Sequence, residues 1–155
     1  MKLNVKLLAI DPGTFESAWV LFDGAKVLAH GIESNVTVMG RLREHAGCPV
    51  WIEMVACYGM AVGSEVFETC VWIGRFWETA NLNGSSFNRV TRIQVKLHLC
   101  HSAQAKDTNI RRAILDRFGG TAAALGNKKQ PGPIYGLVKH EWAAMAVALY
   151  GGDSQ

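Results

Sequence analysis

Two acids stand at the ends of apolar runs. Asp11 follows Leu7-Leu8-Ala9-Ile10, and Glu53 follows Val50-Trp51-Ile52. A carboxylate so close to a core is costly unless a cation pairs with it. Asp11 alone has an ordinary explanation, as a turn-capping residue ahead of Pro12-Gly13. Glu53 has none, because turn chemistry does not ask for a glutamate after Val-Trp-Ile. If the two runs are neighbouring strands, both carboxylates leave the sheet at one edge, where together they can hold Mg²⁺. Two such cations about 4 Å apart serve the hydrolysis of a phosphodiester.

The elements that would position these acids can be read along the chain. Leu3 to Ile10 reads as a strand, stopped by Asp11-Pro12-Gly13-Thr14. Ser17 to Phe22 and Lys26 to Ile32 read as two more strands, joined by an Asp23-Gly24 hairpin turn. Asn35 to Ala46 reads as a helix, and Pro49 to Val55 returns to strand. A long helix is predicted from about Val62 to Leu82, with Val66, Cys70, Ile73 and Trp77 forming one apolar stripe and Phe67, Val71 and Gly74 beside it. So wide an apolar face exceeds what one sheet face needs, and points to a partner subunit. Arg89 to Ile93 reads as a last strand and Gln104 to Phe118 as a helix closed by Gly119-Gly120. Thr121 to Lys139 reads as a loop or mobile segment, and His140 to Tyr150 as an alanine-rich final helix. A meander followed by strand–helix alternation predicts an α/β domain: a five-stranded mixed sheet flanked by helices, one domain over residues 1–155.

Composition bounds the rest. The chain has 155 residues, 49% hydrophobic and 19% charged, an ordinary globular balance. No apolar stretch is long enough to span a bilayer, and the N-terminal apolar run meets Asp11 too early for a signal peptide. A cytoplasmic location is the expectation. Residues 1–88 carry six Lys or Arg against nine Asp or Glu, whereas residues 89–139 carry ten against two, a balance of +8. An acidic part followed by a basic part suits a protein that gathers metal ions at one place and phosphates at another; a solvated basic face is the alternative. Cys48, Cys57, Cys70 and Cys100 lack paired spacing and read as four buried thiols rather than a zinc site with His98 and His101.

Leu8-Ala9-Ile10-Asp11-Pro12-Gly13-Thr14 resembles the opening motif of RuvC-type Holliday junction resolvases, members of the RNase H-like superfamily. Trp51-Ile52-Glu53 resembles their second motif. Ala105-Lys106-Asp107-Thr108-Asn109-Ile110 and Ala144-Met145-Ala146-Val147-Ala148-Leu149 resemble the lysine-bearing segment and the final helix. In order and spacing these cover most of the chain, and the length resembles a compact, phage-type member. The resemblance implies an RNase H-like fold and a homodimer, joined through the helix of about 62–82, that nicks four-way DNA junctions symmetrically. It implies two Mg²⁺ per active site (Mn²⁺ is an alternative) held by Asp11 and Glu53, with Lys106 near the scissile phosphate. Arg89, Arg92, Lys96, Arg111, Lys128, Lys129 and Lys139 would track the DNA backbone together with Lys106.

Two positions depart from the family pattern. Its final helix opens with two metal ligands three residues apart; here these fall on His140 and on Ala143, which cannot bind metal. Glu141 or Asp107 could replace the missing carboxylate, or Ala143 is an inactivating replacement. The family's base-stacking aromatic falls near Ala56, with Tyr58 as the nearest aromatic substitute. Other readings stay open: a nuclease of the same fold acting on flap DNA or RNA hybrids, a non-catalytic junction binder, and an actin-like phosphate loop, which would need two domains.

Overall fold

The protein was analysed as a computed structural model, which describes residues 6–155. Three strands open it: β1 (Leu7–Asp11), β2 (Glu16–Phe22) and β3 (Val27–Ser34). Helix α1 (Asn35–Glu44) leads into β4 (Val50–Met54), and α2 (Ser64–Leu82) into β5 (Phe87–Thr91). Helices α3 (Arg92–Cys100), α4 (Asp107–Arg117), α5 (Thr121–Leu125) and α6 (Glu141–Asp153) complete the chain. The strand predicted from Leu3 begins in part outside the described residues.

The sheet order is β3-β2-β1-β4-β5. The meander β1-β2-β3 is antiparallel, and β1, β4 and β5 run parallel. This is the five-stranded mixed sheet expected from the sequence. Strand side chains alternate between faces, and the alternation sorts the core in two. Leu7, Ala9, Val20 and Phe22 pack under α6 and α4. Leu8, Ile10, Trp19, Leu21, Val50 and Ile52 pack under α1 and α2, against Val38, Leu42, Ile73, Phe76 and Ala80.

Helix α6 is apolar all round, as a helix sealed on every side must be. Trp142 and every residue from Ala144 to Leu149 are buried. Its small residues let it lie close on the strands: a Cβ on Gly151 would come within 2.7 Å of the Trp51 ring.

Four expectations change. The buried stripe of α2 is Thr69, Ile73, Phe76, Thr79 and Ala80, so Trp77 turns outward and stacks on Phe87 at 5.5 Å between centroids. The last strand ends at Thr91, where a capping box between Thr91 and Gln94 starts α3; Arg92 is therefore helical. The 121–139 segment is ordered by α5 and by a bridge between Gly126 and Pro131, where the backbones approach too closely for any Cβ. Of the four free cysteines, only Cys48 is buried and Cys57 is exposed.

Candidate active site

Asp11 ends β1 and Glu53 lies one residue from the end of β4. Ile10 pairs with Ile52 across the parallel ladder, so the two acids occupy the next rung. Counting by twos from Ala9 and Trp51 puts both on the α6 face. There they line one cavity of about 480 Å³ with Arg92, Asp107, Ile110, Arg111, Lys139, His140, Trp142 and Ala143.

The acids are sparingly solvated: the side chains of Asp11 and Glu53 are 17% and 15% exposed. Burial pushes the Asp11 carboxyl up to about 6, and the nearby Glu53 charge adds to this; His140 and Arg92 pull the other way. Burial raises Glu53 as well, with Arg92 opposing. For both groups burial is the larger cause, and a cation between two such carboxylates would favour their charged forms.

Basic side chains flank the pair. His140 Nδ1 lies 3.2 Å from Asp11 Oδ2 while most of the ring stays in solvent. The α6 helix begins at the next residue, so its seating on the sheet delivers His140 to Asp11. On the other side the Arg92 guanidinium lies 3.5 Å from Glu53 Oε1 and also pairs with Asp107. Arg92 reaches this place from the first turn of α3. Arg111, from α4, lies over the Trp142 ring at 4.3 Å on the cavity wall.

Among the described residues no group of three or more His, Cys, Asp or Glu is arranged to chelate one ion. A closed cage is not what Mg²⁺ needs, because it commonly takes one or two carboxylates plus substrate phosphate and water. Asp11 and Glu53 meet that requirement, and their raised carboxyls are what a cation would relieve. Asp107 and His140 stand on either side as further donors.

Glu141 is not part of this group, contrary to its reading as a replacement ligand. It is 3% exposed; Oε1 lies 2.9 Å from His30 Nδ1 and Oε2 accepts from the Val138 N–H at 2.8 Å. Successive helix residues point about 100° apart, which turns Glu141 toward β3 while His140 faces Asp11. Ala143, by contrast, does line the cavity, at the spot where a second ligand was expected.

The basic residues divide. Arg92, Arg111 and Lys139 line the acidic cavity, Lys139 with a left-handed backbone at φ 48°. Arg89 does not; it lies over the Trp77 ring at 4.6 Å, in a separate hollow with Trp51 and Phe87. Lys106 is exposed immediately ahead of α4, outside the cavity lining, and Lys96 is half-buried on α3. Lys128 and Lys129 are exposed on a turn held by Asn127 Oδ1, which accepts from the Lys129 and Gln130 N–H groups. Tyr58 is 55% exposed in the connection between β4 and α2. Phe15, a bulky apolar residue one position past Pro12-Gly13-Thr14, is exposed and lines a neighbouring cavity with Asp11.

No family model and no curated protein matches the chain. Solved structures do. Thermus thermophilus RuvC aligns with a TM-score of 0.67 and 16% identity, over 93% of this chain and 91% of that one. T. thermophilus RuvC in complex with Holliday junction substrate aligns with a TM-score of 0.64 at 16% identity, over 97% and 96%. The chain thus has the fold of RuvC, an RNase H-like mixed sheet.

Proposed function

We propose that this chain is a metal-dependent endodeoxyribonuclease that resolves four-way DNA junctions by paired nicking. The observation that carries the reading is the pairing of Asp11 with Glu53: two partly buried carboxylates on adjacent parallel strands, in a cavity walled by Arg92, Arg111 and Lys139. The choice of a junction as substrate is supported by the shared fold with a protein solved on Holliday junction DNA.

In this reading Asp11 and Glu53 hold divalent cations, Mg²⁺ or Mn²⁺, two per site, with Asp107 or His140 completing the set. What the cations would supply when bound is activation of water and neutralisation of the leaving oxygen. The chain's own residues do the rest. His140 orients the Asp11 carboxylate and can hold a proton beside it. Arg92 balances Glu53 and Asp107 and lies on the cavity wall, where its guanidinium would meet a phosphate. Arg111 and Lys139 grip the backbone of the cut strand. Lys96, Lys106, Lys128 and Lys129 extend that grip over the basic surface.

A homodimer completes the reading, because two nicks of like polarity need two sites. The outward stripe of α2 is the surface offered for it: Phe67 is 63% and Val71 58% exposed, and among the described residues Gly74 has no neighbour within 4 Å of where a Cβ would stand. Tyr58 and Met60, exposed in the preceding loop, extend that surface. The whole chain then acts as one nuclease domain, inside a bacterial cell or a phage-infected host.

The test is a nicking assay on a four-way junction, a flap, a linear duplex and an RNA–DNA hybrid, with Mg²⁺, with Mn²⁺ and with chelator. Paired nicks confined to the junction and dependent on metal are expected. Faster cutting of the hybrid or flap would transfer the reading to another substrate. Tight junction binding with no cutting under either metal would make the chain a binding module.

A further inference from the structure

Asp11 and His140 border a second cavity, of about 370 Å³, on the side away from Arg92. Its walls include Pro12, Gly13, Phe15, Ala18 and Ile32, with no lysine or arginine among the described residues. The volume lies in the range of pockets that take small organic groups. The two cavities therefore share the reacting edge but differ in chemistry. The one with Arg92, Arg111 and Lys139 suits a phosphate. The other, apolar and bordered by the acids Asp11 and Glu16, repels one.

Phe15 stands at the rim of this second cavity and is 85% exposed, an arrangement that forgoes the gain of burying a phenyl ring. Its backbone, however, is firmly tied. Asn35 N–H donates to the Phe15 carbonyl at 2.9 Å. The Gly13 N–H donates to Ser17 Oγ, the Asn35 amide donates to the Gly13 carbonyl, and Ser17 Oγ donates to Asn35 Oδ1 at 2.6 Å. Gly13 is required in this turn, since a Cβ there would meet the Glu16 carbonyl at 2.3 Å. A rigid loop thus presents an unpacked aromatic face beside Asp11.

We infer that Phe15 stacks on a nucleobase flanking the scissile phosphate, and that the apolar cavity behind it receives that base. This rests on the nuclease reading and adds a residue that sets where, and next to which base, the strand is cut. A strand crossing the shared edge would leave its phosphate among the cations and turn the adjacent base toward Phe15. The aromatic face accepts any base, and the cavity walls limit which one fits well.

The experiment uses the full chain and four-way junctions carrying 2-aminopurine on one side or the other of the cut phosphate. Binding is read by quenching in chelator, and nicking after metal is added. Quenching is expected on one side only. Phe15→Ala should lose that quenching and nick roughly 5- to 100-fold more slowly, at less defined positions. Phe15→Trp should restore both, and Phe15→Leu should restore neither. Melting temperatures equal to that of the wild type confirm that the exposed ring was replaced without unfolding. Normal nicking and quenching by Phe15→Ala, or by Phe15→Leu, overturns the assignment alone. A shift of Phe15→Ala to a smaller sedimenting species also overturns it, by making Phe15 an interface residue. Failure of the wild type to nick any junction overturns the functional reading, and this one with it.

Discussion

The two faces of the sheet are finished in opposite ways. On one face α6 is buried along nearly its whole length, and His140, the residue before its first turn, meets Asp11. On the other face α2 buries only one side, through Ile73, Phe76 and Ala80, and leaves Phe67 and Val71 in solvent. The first face covers its apolar residues beneath α6. The second leaves some of its apolar residues in solvent. Under the proposed function the same strands would serve chemistry on one side and assembly on the other, and damage to either side should leave the other intact.

The largest effect should come from the chemical face. Asp11→Asn is expected to reduce nicking roughly a thousandfold while junction affinity, measured by gel shift in chelator, changes little. Retained metal-dependent cutting would remove Asp11 from the site. Ala143→Asp is the complementary change, adding a carboxylate to the cavity opposite Asp11. Nicking should rise by about tenfold or more if the missing ligand limits the rate. An unchanged rate would instead identify Asp107 as the third carboxylate, which Asp107→Asn would then confirm by losing activity.

The assembly face should respond differently. Phe67→Glu is expected to shift sedimentation toward the monomer, with the two nicks of a junction becoming uncoupled and single-nicked product accumulating. Parallel loss of binding and folding would show instead that Phe67 belongs to the core.

A smaller effect separates the faces by pH. The folded Asp11 carboxyl sits at about 6, above its ordinary value of 3.8. Below pH 4 the group is protonated in both states and contributes nothing. As pH rises through 6 the unfolded chain releases its proton first, so the folded state loses stability, by up to about 3 kcal/mol. Without metal, Asp11→Asn should therefore melt on the order of 10 °C higher than the wild type at pH 7.5, and nearly level with it near pH 4. A melting difference that does not change with pH would mean that the carboxylate is not strained by its surroundings.

Much of this was legible in the chain because the informative patterns are local. The run before Asp11, the run before Glu53 and the Asp23-Gly24 turn each specify strand ends within a few residues, and parity then assigns the faces. What escaped depends on a single turn or on distant packing. Ile93, Val95, Leu97 and Leu99 alternate with polar residues as in a strand, which hides the helix that starts at Arg92; the Thr91-x-x-Gln94 capping box was the opposing signal. Without that helix, the placement of Arg92 between Glu53 and Asp107 cannot be foreseen. Glu141 was misleading for a related reason. Its neighbour His140 faces the cavity, but its own partner is His30, 111 residues away in sequence. Composition cannot show which of two adjacent acid–base side chains faces inward.

The burial of α6 also bears on how the protein would fail. Its amides can exchange with solvent only when the sheet and the surrounding helices come apart, so they should be among the slowest to exchange in the molecule. His140 rides on that helix, and Asp11 and Glu53 on the strands beneath it. Local fraying therefore has little access to the sheet edge that carries these acids. Heat should extinguish activity and unfold the chain in a single step, with no folded but inactive species in between.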